Sequence, residues 1–196
     1  RVLVTGAGGS IGSELARQIA SRRPAQLTLV DHGEFNLYRA EMGLRMAYAE
    51  LPLQAHLCDV RDRVRTEQVI GEARPHLIFH AAALKHVPLV ERDPSEGVLT
   101  NVVGTRHVAD AARRAGALAM VLISTDKAVN PTSVMGACKR IAEIWCQNLN
   151  AKSNTRYITV RFGNVLDSAG SVVPLFRQQI RNGGPVTITH PEISRY

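Results

Sequence analysis

The stretch "VLVTGAGGSIGSEL", residues 2–15, decides the fold. An apolar run, Val2 to Thr5, meets Gly6, Gly8, Gly9 and Gly12 and passes at once into a helical pattern. Glycines between a strand and a helix let the backbone turn tightly and approach a pyrophosphate, which then sits at the helix N-terminus. Such a motif is weak alone, but its flanks strengthen it. The next apolar run, "LTLVD" (27–31), closes on Asp31, where a carboxylate can bond both ribose hydroxyls of NAD and repel the added phosphate of NADP. "DHGEFNLY" (31–38) leaves a second reading open, in which Asp31 caps a helix.

Outward from this unit the pattern repeats. Strands are expected at 2–5, 27–31, 53–58, 77–81, 119–124 and 157–162, with helices near 11–22, 34–50, 62–73, 95–115 and 135–149. Strand and helix in strict alternation predict a doubly wound parallel α/β sheet of Rossmann type with right-handed crossovers. The strands are apolar almost throughout, as helices on both faces require. A last helix (172–182), a Gly-Gly turn and a short strand "VTIT" (186–189) are expected to open a further part. The expected division is a dinucleotide-binding domain over 1–162 and the beginning of a sugar-nucleotide-binding part over 163–196. An Arg at position 1 and an end at "THPEISRY" suggest a piece of a longer protein.

Composition narrows the function classes. The chain has 196 residues, 45% of them hydrophobic, which excludes disordered and fibrous classes. "LAMVLI" (118–123) is far too short to cross a bilayer, and no secretory signal is visible. The net charge of +7 suits phosphorylated small molecules. The basic residues fall in short helical pairs without interleaved aromatics, so no nucleic-acid partner is expected. Cys58, Cys138 and Cys146 form no CxxC pair, which favours a reducing, cytoplasmic setting over a disulfide framework. The seven histidines show no ligand spacing, so no metal is expected.

Three further stretches carry chemistry. "CDVRD" (58–62) ends the third strand, with Asp59 and Val60 placed beside an adenine, although Asp59 or Asp62 could equally cap the following helix. "STDKAVNPTSVMGACKR" (124–140) puts Thr125, Asp126 and Lys127 at the C-terminal end of the fifth strand, where open α/β sheets bind ligands. There an acid and a base side by side can run proton transfers, or they can be a solvated turn with Asp126 as a cap. Lys139 follows Met135 by one helical turn, so the two share a face. Met135 can fill core space or line a pocket.

These motifs together resemble the extended short-chain dehydrogenase/reductase superfamily: TGxxGxxG at Thr5–Gly12, "CDV" after the third strand and "HAAA" after the fourth. "HAAALKHVPLVE", "STDKAVNPTSVMGACKR" and "VRFGNVLDSAGSVVPLF" more narrowly resemble the UDP-N-acetylglucosamine 4,6-dehydratases. Within them the likeness is to the catalytic domain of the large, membrane-anchored polysaccharide and glycan biosynthesis enzymes. The superfamily carries a Tyr four residues before the Lys; that branch carries Met, as this chain does at Met135.

The resemblance implies an NAD site at Gly6, Gly9, Ser10, Ile11, Gly12, Ala81 and Ala82, with Lys139 at the nicotinamide ribose. It implies Asp126 as acid for the departing hydroxyl and Lys127 as base at carbon 5; Thr125 is the remaining hydroxyl able to relay the carbon 4 proton. Lys85 and His86 border cofactor and substrate, and Arg161, Asn164 and Ser171 contact the UDP-sugar. A homo-oligomer, a membrane-anchored parent facing the cytoplasm, and retention at carbon 5 are also expected. Two other readings stay open: a UDP-sugar 4-epimerase, and a non-catalytic NAD-sensing domain.

Overall fold

The computed structural model describes residues 1–165 and 172–188. Its chain divides into two units, Arg1–Arg161 and Phe162–Tyr196. In the first, the strands β1 (Val2–Thr5), β2 (Leu27–Asp31), β3 (Leu53–Leu57), β4 (Leu77–His80), β5 (Ala119–Thr125) and β6 (Arg156–Phe162) form one parallel sheet in the order β3-β2-β1-β4-β5-β6. The chain runs outward from β1 through β2 to β3, then returns to the other side of β1 with β4. This reversal opens a crevice beyond the C-terminal ends of β1 and β4, the general ligand position of such sheets.

The helices of the first unit are α1 (Ser10–Ser21), α2 (Glu34–Ala47), α3 (Arg63–Ala73), α4 (Val87–Arg92), α5 (Pro94–Gly97), α6 (Thr105–Arg114) and α7 (Val134–Asn150). Consecutive strand residues point to opposite faces, and both faces are dry. Val4, Leu27, Leu29 and Leu53 pack with Ala16, Ala20, Leu37 and Leu44 of α1 and α2. Leu3, Val30, Ile78, Met120 and Leu122 pack with Val69, Ile70, Val108 and Ala142 from α3, α6 and α7. Hence the strands read as unbroken apolar runs.

Three local features depart from expectation. The short helix α4 falls in "VPLVER", where Pro88 in the first turn suits a helix start. Between α5 and α6, Val98–Gly104 winds as a π-helix, so Pro94–Arg114 is helical without a break but not uniformly α. Finally, no strand forms over the described residues 186–188 of "VTIT". With no ladder partner among the described residues, Thr187 gives its amide to the Gln179 side chain of α8 (Val172–Arg181), 3.1 Å away. An unpaired strand leaves backbone groups unsatisfied, and this bond answers one of them.

Among the described residues of the first unit, Trp145 Nε1 is buried without a hydrogen-bond partner, while other buried polar groups are paired. His80 sits between Thr5 Oγ1 at 2.6 Å and Thr105 Oγ1 at 3.0 Å. Thr105 donates its own proton to the Asn101 carbonyl, so it accepts from His80 Nε2, and Nδ1 accepts from Thr5. Burial first, then the Lys139 charge, holds this imidazole neutral, with its pKa lowered to about 3.

Candidate active site

The glycine loop and the loop after β4 meet in the crevice. A Cβ on Gly6 would fall 2.5 Å from the Ala82 nitrogen, and the Gly6 φ of +67° is itself one that side chains avoid. A Cβ on Gly12 would overlap the Gly6 carbonyl. These glycines therefore allow α1 to start directly under the loop, with Ser10 and Ile11 in its first turn. A cavity of about 360 Å³ opens here. Gly6, Gly9, Asp31, Asp59, Val60, Ala81 and Ala82, all expected from sequence, line it. A cradle that a single Cβ would fill, at the N-terminus of a 12-residue helix, fits a dinucleotide pyrophosphate.

Asp31 is not the cap of α2; Gly33 holds that position. Its carboxylate accepts from the Gly8 amide at 2.9 Å and the Gly33 amide at 2.8 Å, so it fastens the glycine loop to the end of β2. Asp59 and Asp62 divide the roles left open between them. Asp62 caps α3, accepting from the Arg65 amide, while Asp59 faces the cavity and is held by Arg61 at 2.6 Å. Burial opposes the Asp59 charge, but the Arg61 bonds outweigh it and hold the carboxyl below its ordinary range.

The loop carrying Lys85 and His86 is exposed. Asn101, fully buried in the π-helical turn, clamps this loop by accepting from the Leu84 amide and donating to its carbonyl. His86 stands before α4 without a side-chain cap bond, and its carbonyl accepts from Leu89 and Val90.

At the end of β5, Thr125 donates to Asp126 Oδ1 at 2.8 Å, and Lys127 Nζ reaches the same oxygen at 3.0 Å. Asp126 and Lys127 are partly open, with side chains 55% and 38% exposed. Burial raises the Asp126 pKa, but the bonds from Lys127 and Thr125 prevail and hold the carboxyl below its ordinary range. The resting Asp126 carboxyl is thus ionised.

Met135 is only 4% exposed, so it fills interior space rather than lining an open pocket. Lys139, also 4% exposed, donates to the Ile123 carbonyl at 2.6 Å. Burial lowers its pKa to about 8, against the opposing pull of Cys146 and Glu143.

Sequence reasoning missed Glu143. Fully buried on α7, it accepts from Ser124 at 2.6 Å, from Arg140 at 3.1 Å, and from Arg161 Nε and Nη2 at 2.9 and 2.6 Å. Its place one turn after Lys139 was the available signal. Two of the Arg161 nitrogens thus serve a buried carboxylate. Asn164 is exposed in the second unit, and Ser171 lies outside the described residues. All three cysteines are free and buried, and burial pushes each thiol up, Cys146 to about 12. Among the described residues no helix is long and apolar enough to cross a membrane.

Sheet order and the glycine cradle define a Rossmann-like α/β domain, with Thr125, Asp126 and Lys127 at the C-terminal end of β5. More particularly, the chain belongs to the polysaccharide biosynthesis protein family, whose model matches residues 2–196. It is 49% identical over 196 residues to the probable polysaccharide biosynthesis protein EpsC of Bacillus subtilis, and 49% over 197 residues to the capsular polysaccharide biosynthesis protein CapD of Staphylococcus aureus. Each alignment takes in the whole chain but 33% of the relative, so the chain spans about one third of their length. The solved structure of Pen from Bacillus thuringiensis superposes with a TM-score of 0.90 at 32% identity, over 96% of this chain and 60% of that one. More distant relatives bear the names UDP-glucose 4-epimerase (Rickettsia canadensis, 34% identical) and UDP-N-acetylglucosamine 4,6-dehydratase (inverting) (Campylobacter jejuni, 30%). The alignment covers all of this chain and 58% of either relative.

Proposed function

We propose that this chain is the catalytic domain of an NAD-dependent nucleotide-sugar 4,6-dehydratase, acting on UDP-GlcNAc to give UDP-4-keto-6-deoxy-GlcNAc. The observation that carries the reading is the Thr125–Asp126–Lys127 cluster, a hydroxyl and an amine on one oxygen of the Asp126 carboxylate at the sheet's ligand-binding end. Relatives named as epimerases support the alternative, a UDP-sugar 4-epimerase. That reaction eliminates no water and leaves Lys127 without work.

The glycine cradle, Asp31, Asp59 and Val60 would hold NAD, which would supply a hydride acceptor for sugar carbon 4 and the same hydride for carbon 6. The remaining work is proton transfer, and the resting ionisation suits it. Asp126 begins ionised and bonded to the Thr125 hydroxyl. As carbon 4 is oxidised, its hydroxyl proton passes to Thr125, and the Thr125 proton passes to Asp126. The Tyr that is absent at Met135 is then not needed. Lys127 serves as the carbon 5 base in its neutral form, with its proton passed to solvent before the step and regained from solvent after it. Neutral Lys127 removes the carbon 5 proton, while Asp126 protonates the carbon 6 hydroxyl, which departs as water. Lys127 then returns a proton to carbon 5, and Asp126 is again ionised. One base working on one face of the sugar gives retention at carbon 5.

Ile141 and Ile144 on α7, with Val98 and Leu99 on the π-helical turn, are exposed and apolar, which supports the expected pairing of two copies. The mechanism is tested with substrate deuterated at carbon 4, using the full-length protein. The 4-keto-6-deoxy product should carry that deuterium at carbon 6 of the same molecule, and in heavy water carbon 5 should gain one deuteron. Free NADH released in step with substrate oxidation would overturn the reading.

A further inference from the structure

Glu143 is the strongest feature that the proposed chemistry does not use. It is 0% exposed, and its two oxygens accept four hydrogen bonds from three elements: Ser124 on β5, Arg140 on α7 itself, and Arg161 twice from β6. Burial opposes its charge, but these donors hold the carboxyl ionised, near a pKa of about 2. Burying such a group is costly, and well-packed apolar residues often serve stability as well or better. Fold stability alone therefore gives weak grounds for a carboxylate here.

Its position suggests another purpose. One turn earlier on α7, Lys139 donates to the carbonyl of Ile123, and Glu143 receives the hydroxyl of Ser124, the next residue of β5. Two adjacent residues of β5 are thus fastened to one face of α7. The residues that follow at once are Thr125, Asp126 and Lys127. We propose that Glu143 is a positioning residue: it sets the register of β5 against α7, and so fixes Thr125–Asp126–Lys127 relative to Lys139. Arg161 is the brace that holds the Glu143 carboxylate in place from β6. This rests on the active-site assignment above, but not on which sugar reaction follows.

The test uses the full-length protein and two single variants. Glu143→Gln keeps the shape but turns an NH₂ group toward a donor, while Ser124→Ala removes only the tie to β5. A misplacement of about 1 Å can cost roughly 10²-fold in rate, so both variants should lose one to two orders of magnitude in kcat. KM for the UDP-sugar should stay within about threefold, and the Kd for NAD, read by calorimetry, within about twofold, because the glycine cradle lies on other strands. Oxidation should also come uncoupled from water loss, seen as enzyme-bound NADH building up with substrate.

The apolar double variant Glu143→Leu/Arg161→Met separates positioning from stability. It should regain thermal stability without regaining kcat. Recovery of both, or unchanged kcat in Ser124→Ala, would overturn the proposal. If the wild-type protein yields a 4-epimer instead of a dehydrated sugar, the dehydratase reading fails. Positioning is then still judged on kcat for epimerisation.

Discussion

Lys139 offers a quantitative check on the buried side of the site. Its amine is 4% exposed, and burial lowers its pKa from 10.5 to about 8. The groups facing it are Glu143 and Cys146 of α7 and His80 of β4, and none of these titrates in the native state between those two values. Below pH 8 both the folded and unfolded chains hold the proton, and the fold bears the full cost of the buried charge. Between 8 and 10.5 the folded chain releases it first. The unfolded state then binds more protons, and stability rises with pH. At 1.36 kcal/mol per unit, the gain attributable to this amine is about 2 kcal/mol by about pH 9.5 and about 3 kcal/mol by about pH 10.5, relative to neutrality.

Lys139→Met removes the titration, together with a pH-independent hydrogen bond to Ile123. Urea unfolding of both proteins at several pH values isolates the difference. The stability of the wild type minus that of the variant should climb by the amounts above as pH rises. A flat difference, or one that falls, would show that the amine is not desolvated as the structure has it.

Other outcomes follow from particular contacts. Lys127→Ala should lower turnover by at least about 10²-fold, measured as water loss by mass, because the proposed mechanism gives Lys127 the carbon 5 proton. The wild type should bind NAD more tightly than NADP by calorimetry. Asp31→Asn should narrow that ratio and cost about 1–3 kcal/mol of stability, since the NH₂ that replaces one oxygen cannot accept and one of the bonds from Gly8 and Gly33 is lost. Gly12→Ala should weaken NAD binding measurably, as the new methyl meets the Gly6 carbonyl and strains the loop by about 1–3 kcal/mol. Met135→Leu, a volume-conserving change in a buried position, should cost under about 1.5 kcal/mol by thermal unfolding and keep most activity.

Much of the groove was legible because its signals are local. The glycine spacing, the acid ending β2 and the small residues after β4 each report on backbone at their own position. Their sequence order alone places them at strand ends, and Gly6, Gly9, Asp31, Ala81 and Ala82 line the same cavity. The ambiguity at "CDVRD" was of another kind: either aspartate could cap α3, and only the observed first turn of α3 assigns that work to Asp62 and leaves Asp59 to the cavity. Helix α4 was missed because six residues are too few to display a helical period.

By itself, then, the sequence determined the alternation of strand and helix, the dinucleotide cradle and the place of Asp126 and Lys127 at the end of β5, because periodicity, glycine and neighbouring residues act over short spans of chain. Tertiary structure alone decided which partner each polar side chain takes. His80 meets Thr5 across 75 residues, Asn101 reaches back 17 to Leu84, and Glu143 gathers Ser124 and Arg161 from 19 and 18 residues away. Such pairs carry no period along the chain. A buried charge is satisfied by whatever the folded sheet brings within hydrogen-bond reach, and so the ionised state of Asp126, the inward turn of Arg161 and the role of Glu143 emerge only once the strands are in order.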